Sequence, residues 1–176
     1  MKTYIALFRG INVGGNNILP MKDLVKILEG MGFKDVRTYI QSGNAVFRSA
    51  LLKTDKTAKE ISLSISKSHG FIPKVIILEI SELKKAINKN PFPTSEGKAL
   101  HFFFLESHPK NPDLKALSEA KTKSEEFKLV QNIFYLFAPD GIGRSKLANI
   151  VEKKLGVPAT GRNWNTITKL MEMAEQ

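Results

Sequence analysis

The order in which hydrophobic periods alternate along this chain narrows its fold more than any other feature. Thr3 to Phe8 is apolar on both alternating faces, as a strand covered on both sides requires. Pro20 suits the first turn of a helix, where its missing N–H removes no hydrogen bond. Met21, Leu24, Val25, Leu28 and Met31 follow at helical spacing, and Gly30 and Gly32 provide the stop. Val36 to Ile40 and Asn44 to Phe47 read as strands joined by the turn Gln41-Ser42-Gly43. Asp55 or Thr57 caps a second helix, with Glu60 placed for a capping box from Thr57, and Ala58, Ile61 and Ile65 form its apolar stripe. His69-Gly70 ends that helix, and Lys74 to Leu78 is a β-branched strand. Strand, helix, strand, strand, helix, strand in fewer than eighty residues is the order of a ferredoxin-like plait.

The second half repeats the pattern. A short helix over Ser81 to Asn88 and the breaker Asn90-Pro91-Phe92-Pro93 lead into a strongly apolar strand, Leu100 to Leu105. Pro112 to Ala120 reads as a helix, and Phe127 to Val130 pairs with Ile133 to Phe137 around the tight turn Gln131-Asn132. Ser145 to Leu155 is a helix with Leu147, Ile150, Val151 and Leu155 on one face. No final strand is readable. A last helix from about Asn163 takes its place, with Trp164, Ile167, Leu170, Met171 and Ala174 facing inward. The predicted class is α+β: two ferredoxin-like (α/β-plait) units packed together, residues 1–79 and 80–176, the second ending in an extra C-terminal helix. The likeness between the halves is one of topology, as an old internal duplication would leave, and a continuous sheet shared by both halves fits the same pattern.

Composition excludes several classes of function. The 176 residues are enough to bury about 70% of the unfolded surface without staples. There is no cysteine, so disulfides and thiolate chemistry are ruled out and a reducing cytoplasm is the expected location. Arg9 cuts short the apolar start of the chain, and no stretch approaches the roughly 20 apolar residues of a membrane span. A soluble, intracellular protein without a membrane partner is therefore expected. The net charge of +10 raises the question of nucleic acid, because clustered cations release counterions from phosphates. The lysines are scattered along helices and no run of five like charges occurs, which reads as solvated faces. His69, His101 and His108 sit on different elements without metal-ligand spacing, so no metal site is expected. No G-x-S-x-G elbow exists, and acids near the polar loops are few: Asp23, Asp35 and Asp140. These residues assign no catalytic group, cofactor or oligomeric state, and the shortage of a base counts against catalysis.

Four polar loops remain. Arg9-Gly10-Ile11-Asn12-Val13-Gly14-Gly15-Asn16-Asn17 lies between a central strand and a helix N-terminus, where backbone N–H groups and the helix dipole attract anions. Gly14 and Gly15 would let a ligand approach the main chain, and Asn12 and Asn16 add amide donors; alternatively, these residues only permit left-handed turns. The spacing matches neither nucleotide fingerprint. Gln41-Ser42-Gly43-Asn44 is an ordinary hairpin signal, although glutamine is an unusual turn former. Arg144-Ser145-Lys146 places two cations beside Ser145, a natural N-cap, at the positive end of a helix, which the dipole disfavours by a few tenths of a kcal/mol or more. That conflict fits a site for an anion or, more plainly, two exposed cations. Arg162 and Asn163 again precede a helix, and the Arg162 fork matches phosphate or carboxylate. Trp164 reads as a core anchor.

The stretches A-L-F-R-G-I-N-V-G-G-N-N-I-L-P-M, R-T-Y-I-Q-S-G-N-A-V-F, G-R-S-K-L and P-A-T-G-R-N-W-N-T-I-T-K-L together resemble the bacterial domain of unknown function 1697 family. Gly161 is the one small departure from that pattern. The resemblance implies two ferredoxin-like subdomains packed together and implies no activity.

The leading expectation is a binding protein for a small phosphorylated or carboxylated ligand, with Arg9, Gly14, Gly15, Arg144, Lys146 and Arg162 receiving the anion. Asn12, Asn16, Gln41, Ser42, Asn44, Ser145 and Asn163 complete the candidate set. The alternatives are a nucleic-acid-binding plait, weakened because His101-Phe102-Phe103-Phe104 reads as a buried strand, and a protein-interaction role in which the loops are turns only.

Overall fold

The computed structural model describes residues 1–176, in eight strands and six helices. The first unit runs β1 (Lys2–Arg9), α1 (Met21–Gly30), β2 (Lys34–Tyr39), β3 (Asn44–Ser49), α2 (Thr54–His69) and β4 (Lys74–Glu79). Its strands lie in the order β2-β3-β1-β4, and all pairings are antiparallel. Central β1 explains its own composition. Tyr4, Ala6 and Phe8 join Ala45 and Phe47 in one core with Leu24 and Leu28 of α1 and Ala58, Ile61 and Ile65 of α2. The alternate residues Ile5 and Leu7 are also buried, so both faces must be apolar. Phe47 stacks on Phe33 at 4.5 Å and on Tyr4, its cross-strand partner, at 5.9 Å.

Helix α2 starts earlier than the expected caps. Its first residue is Thr54, Lys53 flanks it without a side-chain cap, and Thr57 already donates its N–H to the Lys53 carbonyl at 2.9 Å. Thr57 is therefore inside the first turn and buried, and Glu60 pairs with Lys56 at 3.6 Å instead of closing a capping box. The helix ends where expected, at Gly70 in the left-handed conformation.

The second unit repeats the plait with β5 (Leu100–Leu105), α4 (Leu114–Ala120), β6 (Glu126–Val130), β7 (Ile133–Phe137), α5 (Lys146–Leu155) and β8 (Ala159–Asn163), in sheet order β6-β7-β5-β8. The expectation that this unit lacks a final strand is corrected by β8. Ala-Thr-Gly-Arg-Asn has little β-propensity, and it becomes a strand by pairing with one neighbour, β5, over His101↔Asn163 to Leu105↔Ala159. Gly161 belongs to that pairing. It faces Phe103, whose ring would lie 3.0 Å from a Cβ built there.

One face of this sheet packs under α4 and α5 through Leu105, Phe134, Leu136, Leu147 and Val151. The other carries Phe102, Phe104 and Tyr135, also buried. There the Tyr135 hydroxyl donates to the Ala86 carbonyl at 2.7 Å, and burial pushes its pKa up to about 12. Two further helices complete the chain, α3 (Ile80–Asn88) and α6 (Trp164–Glu175). The units divide as Met1–Lys85 with Lys169–Gln176, and Ala86–Thr168, so both boundaries fall inside these helices. The last residues join the first unit through Arg37 on β2, which donates to the Met173 carbonyl at 2.6 Å and to the Gln176 side chain at 2.9 Å. No helix is long and apolar enough to cross a membrane.

Candidate functional site

In the first unit, the Gly10–Asn17 segment and the Gln41–Asn44 turn meet at one end of the sheet, and Asn12 joins them. Its Oδ1 accepts from the Leu19 N–H at 2.8 Å, and its Nδ2 donates to the carbonyls of Leu19 and Gln41, both at 2.9 Å. A carboxamide has two N–H donors, so this one holds nothing in reserve for donation. The segment itself is a miniature hairpin. Val13 bridges Asn16, whose N–H donates to the Val13 carbonyl at 3.0 Å, with Gly14 (φ 59) and Gly15 (φ 77) at its tip. Two successive positive φ values define the tight turn that joins antiparallel strands, and glycine supplies them without strain. Asn12 (φ 53) and Asn17 (φ 52) are left-handed as well, and Asn17 Nδ2 donates to the Gly10 carbonyl at 2.8 Å. Asn16 Nδ2 turns back to the Gly14 carbonyl at 3.3 Å.

The second turn is equally architectural. Gly43 has φ 89, and a Cβ there would stand 2.5 Å from Ile11 Cδ1 and 2.7 Å from Phe8 Cβ. Asn44 is buried and donates to the Tyr39 carbonyl at 3.0 Å. Gln41 and Ser42 are exposed, and Arg9 stands directly across the ladder from Lys74.

The remaining predicted residues lie in the second unit, where β5 begins and β7 and β8 end. There the Ala138 N–H donates to the Ala99 carbonyl at 2.8 Å. The chain leaves β7 through Gly141 (φ 97), makes a 3-10 turn over Ile142–Arg144, and enters α5. Ser145 is the N-cap, buried, with its Oγ accepting from the Ala148 N–H at 3.0 Å. Arg144 and Lys146 on either side are exposed and form no ion pair. Asp140, a few residues earlier, is held by the Ser124 hydroxyl at 2.5 Å. Asn163 also caps, its Oδ1 accepting from the Thr166 N–H at 2.9 Å as α6 begins. Arg162 pairs in register with Phe102, on the sheet face away from α5, so it is not grouped with Arg144 and Lys146. Its guanidinium donates to the Gly161 carbonyl at 2.8 Å, and burial pushes its pKa down to about 10, leaving it charged at neutral pH.

At this end of the second unit is an open cleft of about 350 Å³, lined by Glu96, Gly97 and Lys98 ahead of β5, Ala138 and Gly141 after β7, and Asn165 in the first turn of α6. Gly97 lies against the Asn165 carboxamide, which would have to swing aside to admit a Cβ there. Close by in sequence, His101 on β5 is buried, its Nδ1 has no hydrogen-bond partner, and burial lowers its pKa against a smaller opposing effect of the Ala99 carbonyl. Sequence reasoning missed Glu96, Lys98 and Asn165. The available signal was Glu96-Gly97-Lys98 between the proline breaker and an apolar strand, with Asn165 hidden inside a run read for its helix.

The protein-family description "Protein of unknown function (DUF1697)" matches residues 1–135. Among solved structures, the chain is similar to the conserved bacterial protein SP0830 from Streptococcus pneumoniae, at 23% identity over 98% of each chain and a TM-score of 0.71, a likeness of fold. No curated protein matches the chain. With its end-to-end signature stretches and two plait units, this chain is a member of the DUF1697 family.

Proposed function

We propose that this protein binds a small phosphorylated or carboxylated ligand at the strand-end cleft of its second unit. The observation that carries this reading is the placement of Arg144 and Lys146. Both are exposed and without acidic partners at the positive end of a ten-residue helix, where the dipole works against them. Structural need does not explain that arrangement, because the capping is done by Ser145 alone. A cleft of small-ligand size, lined by Lys98 and Asn165 among others, reaches Gly141, whose carbonyl accepts from the Arg144 N–H. The first unit supplies less. Asn12, Gly14, Gly15, Asn16 and Asn44 have architectural roles, Arg9 and Ser42 are engaged in contacts of their own, and the Gln41 side chain is left without a bond.

The nucleic-acid alternative loses its usual plait mechanism, since the aromatic sheet residues Phe102, Phe104 and Tyr135 are buried and offer no stacking face. The test is thermal shift and titration calorimetry with inorganic phosphate, phosphate esters and small carboxylates on the full chain. Stabilisation of about 2.7 kcal/mol is expected at a hundredfold excess over Kd. R144A/K146A should remove most of it while leaving the melting temperature without ligand unchanged or slightly raised. A melting temperature unmoved by every compound would end the reading.

A further inference from the structure

The chemistry lining the cleft narrows the ligand further, on the assumption that the cleft is the binding site proposed above. Lys98 and Asn165 Nδ2 are donors, and Arg144 closes the 3-10 turn that leaves Gly141 at the cleft wall. Glu96 contributes the opposite chemistry. It lines the same cleft, is exposed and has no cationic partner, and a carboxylate accepts hydrogen bonds without donating them. A bare anion in this space would be drawn by Lys98 and repelled by Glu96. A molecule presenting an anion at one end and hydroxyl donors at the other would satisfy both. The volume of about 350 Å³ also exceeds what a free phosphate needs, so it has room for a carbon skeleton.

We infer that the cleft takes a hydroxyl-bearing phosphomonoester, its phosphate toward Lys98 and Arg144 and its hydroxyls toward Glu96, with Asn165 fixing its orientation. Gly97 lets the Asn165 carboxamide lie close against the backbone at the cleft wall.

Binding to the full chain is measured by calorimetry with three probes: inorganic phosphate, glucose 6-phosphate and adenosine 5′-monophosphate. At least one ester is expected to bind about tenfold or more tightly than inorganic phosphate. E96A should lower affinity for that ester about tenfold and leave inorganic phosphate unchanged or improved, and N165D should likewise weaken the ester selectively. Which ester wins distinguishes a sugar phosphate from a nucleoside monophosphate. If inorganic phosphate binds as well as both esters, or E96A weakens all probes alike, the inference fails while the anion site stands. If no probe binds, the inference fails, and the anion site falls with it unless the small carboxylates bind.

Discussion

Asn12 makes three hydrogen bonds with a single carboxamide, two to Leu19 and one to Gln41, and so fixes the relation between two loops that are far apart in sequence. Its replacement by alanine should cost about 2–3 kcal/mol, since each bond contributes about 1 kcal/mol net. Urea unfolding would measure the loss, and hydrogen exchange should accelerate in both the Gly10–Leu19 segment and the Gln41–Gly43 turn. Glycines allow a sharper contrast. Gly43→Ala combines a left-handed backbone with a collision against Ile11 and Phe8 and should destabilise by about 2 kcal/mol or more. Gly30→Ala, in open space at the end of α1, should be neutral or stabilise by up to about 1 kcal/mol. Equal losses at the two positions would show that the packing around Gly43 relaxes. His101 gives a pH dependence of defined sign. Its folded pKa is lowered from 6.5, so the unfolded chain takes up the proton first as pH falls. Stability should be level above about 6.5 and decline below it, and His101→Phe should abolish that slope in denaturation series run across pH.

At the scale of elements, helix termini decided what could be read in advance. Ser145 is the cap its residue type predicts, and Asn163, read from the sequence as a ligand residue, also caps; both accept from an N–H three residues on. Alanine at Ser145 should cost about 1 kcal/mol and fray the first turn of α5, visible as lost exchange protection at Ala148. The start of α2 was misjudged because Thr57 and Glu60 carry a capping-box pattern while the backbone begins its helix at Thr54. β8 was illegible for a different reason. A five-residue strand containing glycine, arginine and asparagine has no pattern of its own, and its conformation is imposed by β5. The cleft was illegible likewise: Lys98 and Asn165 are ordinary residues locally, and only the pairing of β5 with β7 and β8 brings their segments to one end.

At the scale of the whole molecule, the plait was readable twice over because its buried strands and amphipathic helices follow two unmistakable periods. The candidate site residues were harder to recognise, because several residues of the family signature serve architecture. Arg37 is one such residue, anchoring the Met173 carbonyl and the Gln176 side chain. Its replacement by alanine should lower overall stability and accelerate exchange selectively over Leu170–Ala174. Unchanged protection there would mean that apolar burial alone holds the end of α6.

That anchor also bears on how the protein is made. Ala86–Thr168 emerges from the ribosome as an uninterrupted segment and has all its own strands in hand. The first unit, although synthesised earlier, draws on Lys169–Gln176, and Arg37 meets a carbonyl 136 positions downstream. Synthesis and completion therefore run in opposite order: the half translated first is the half finished last.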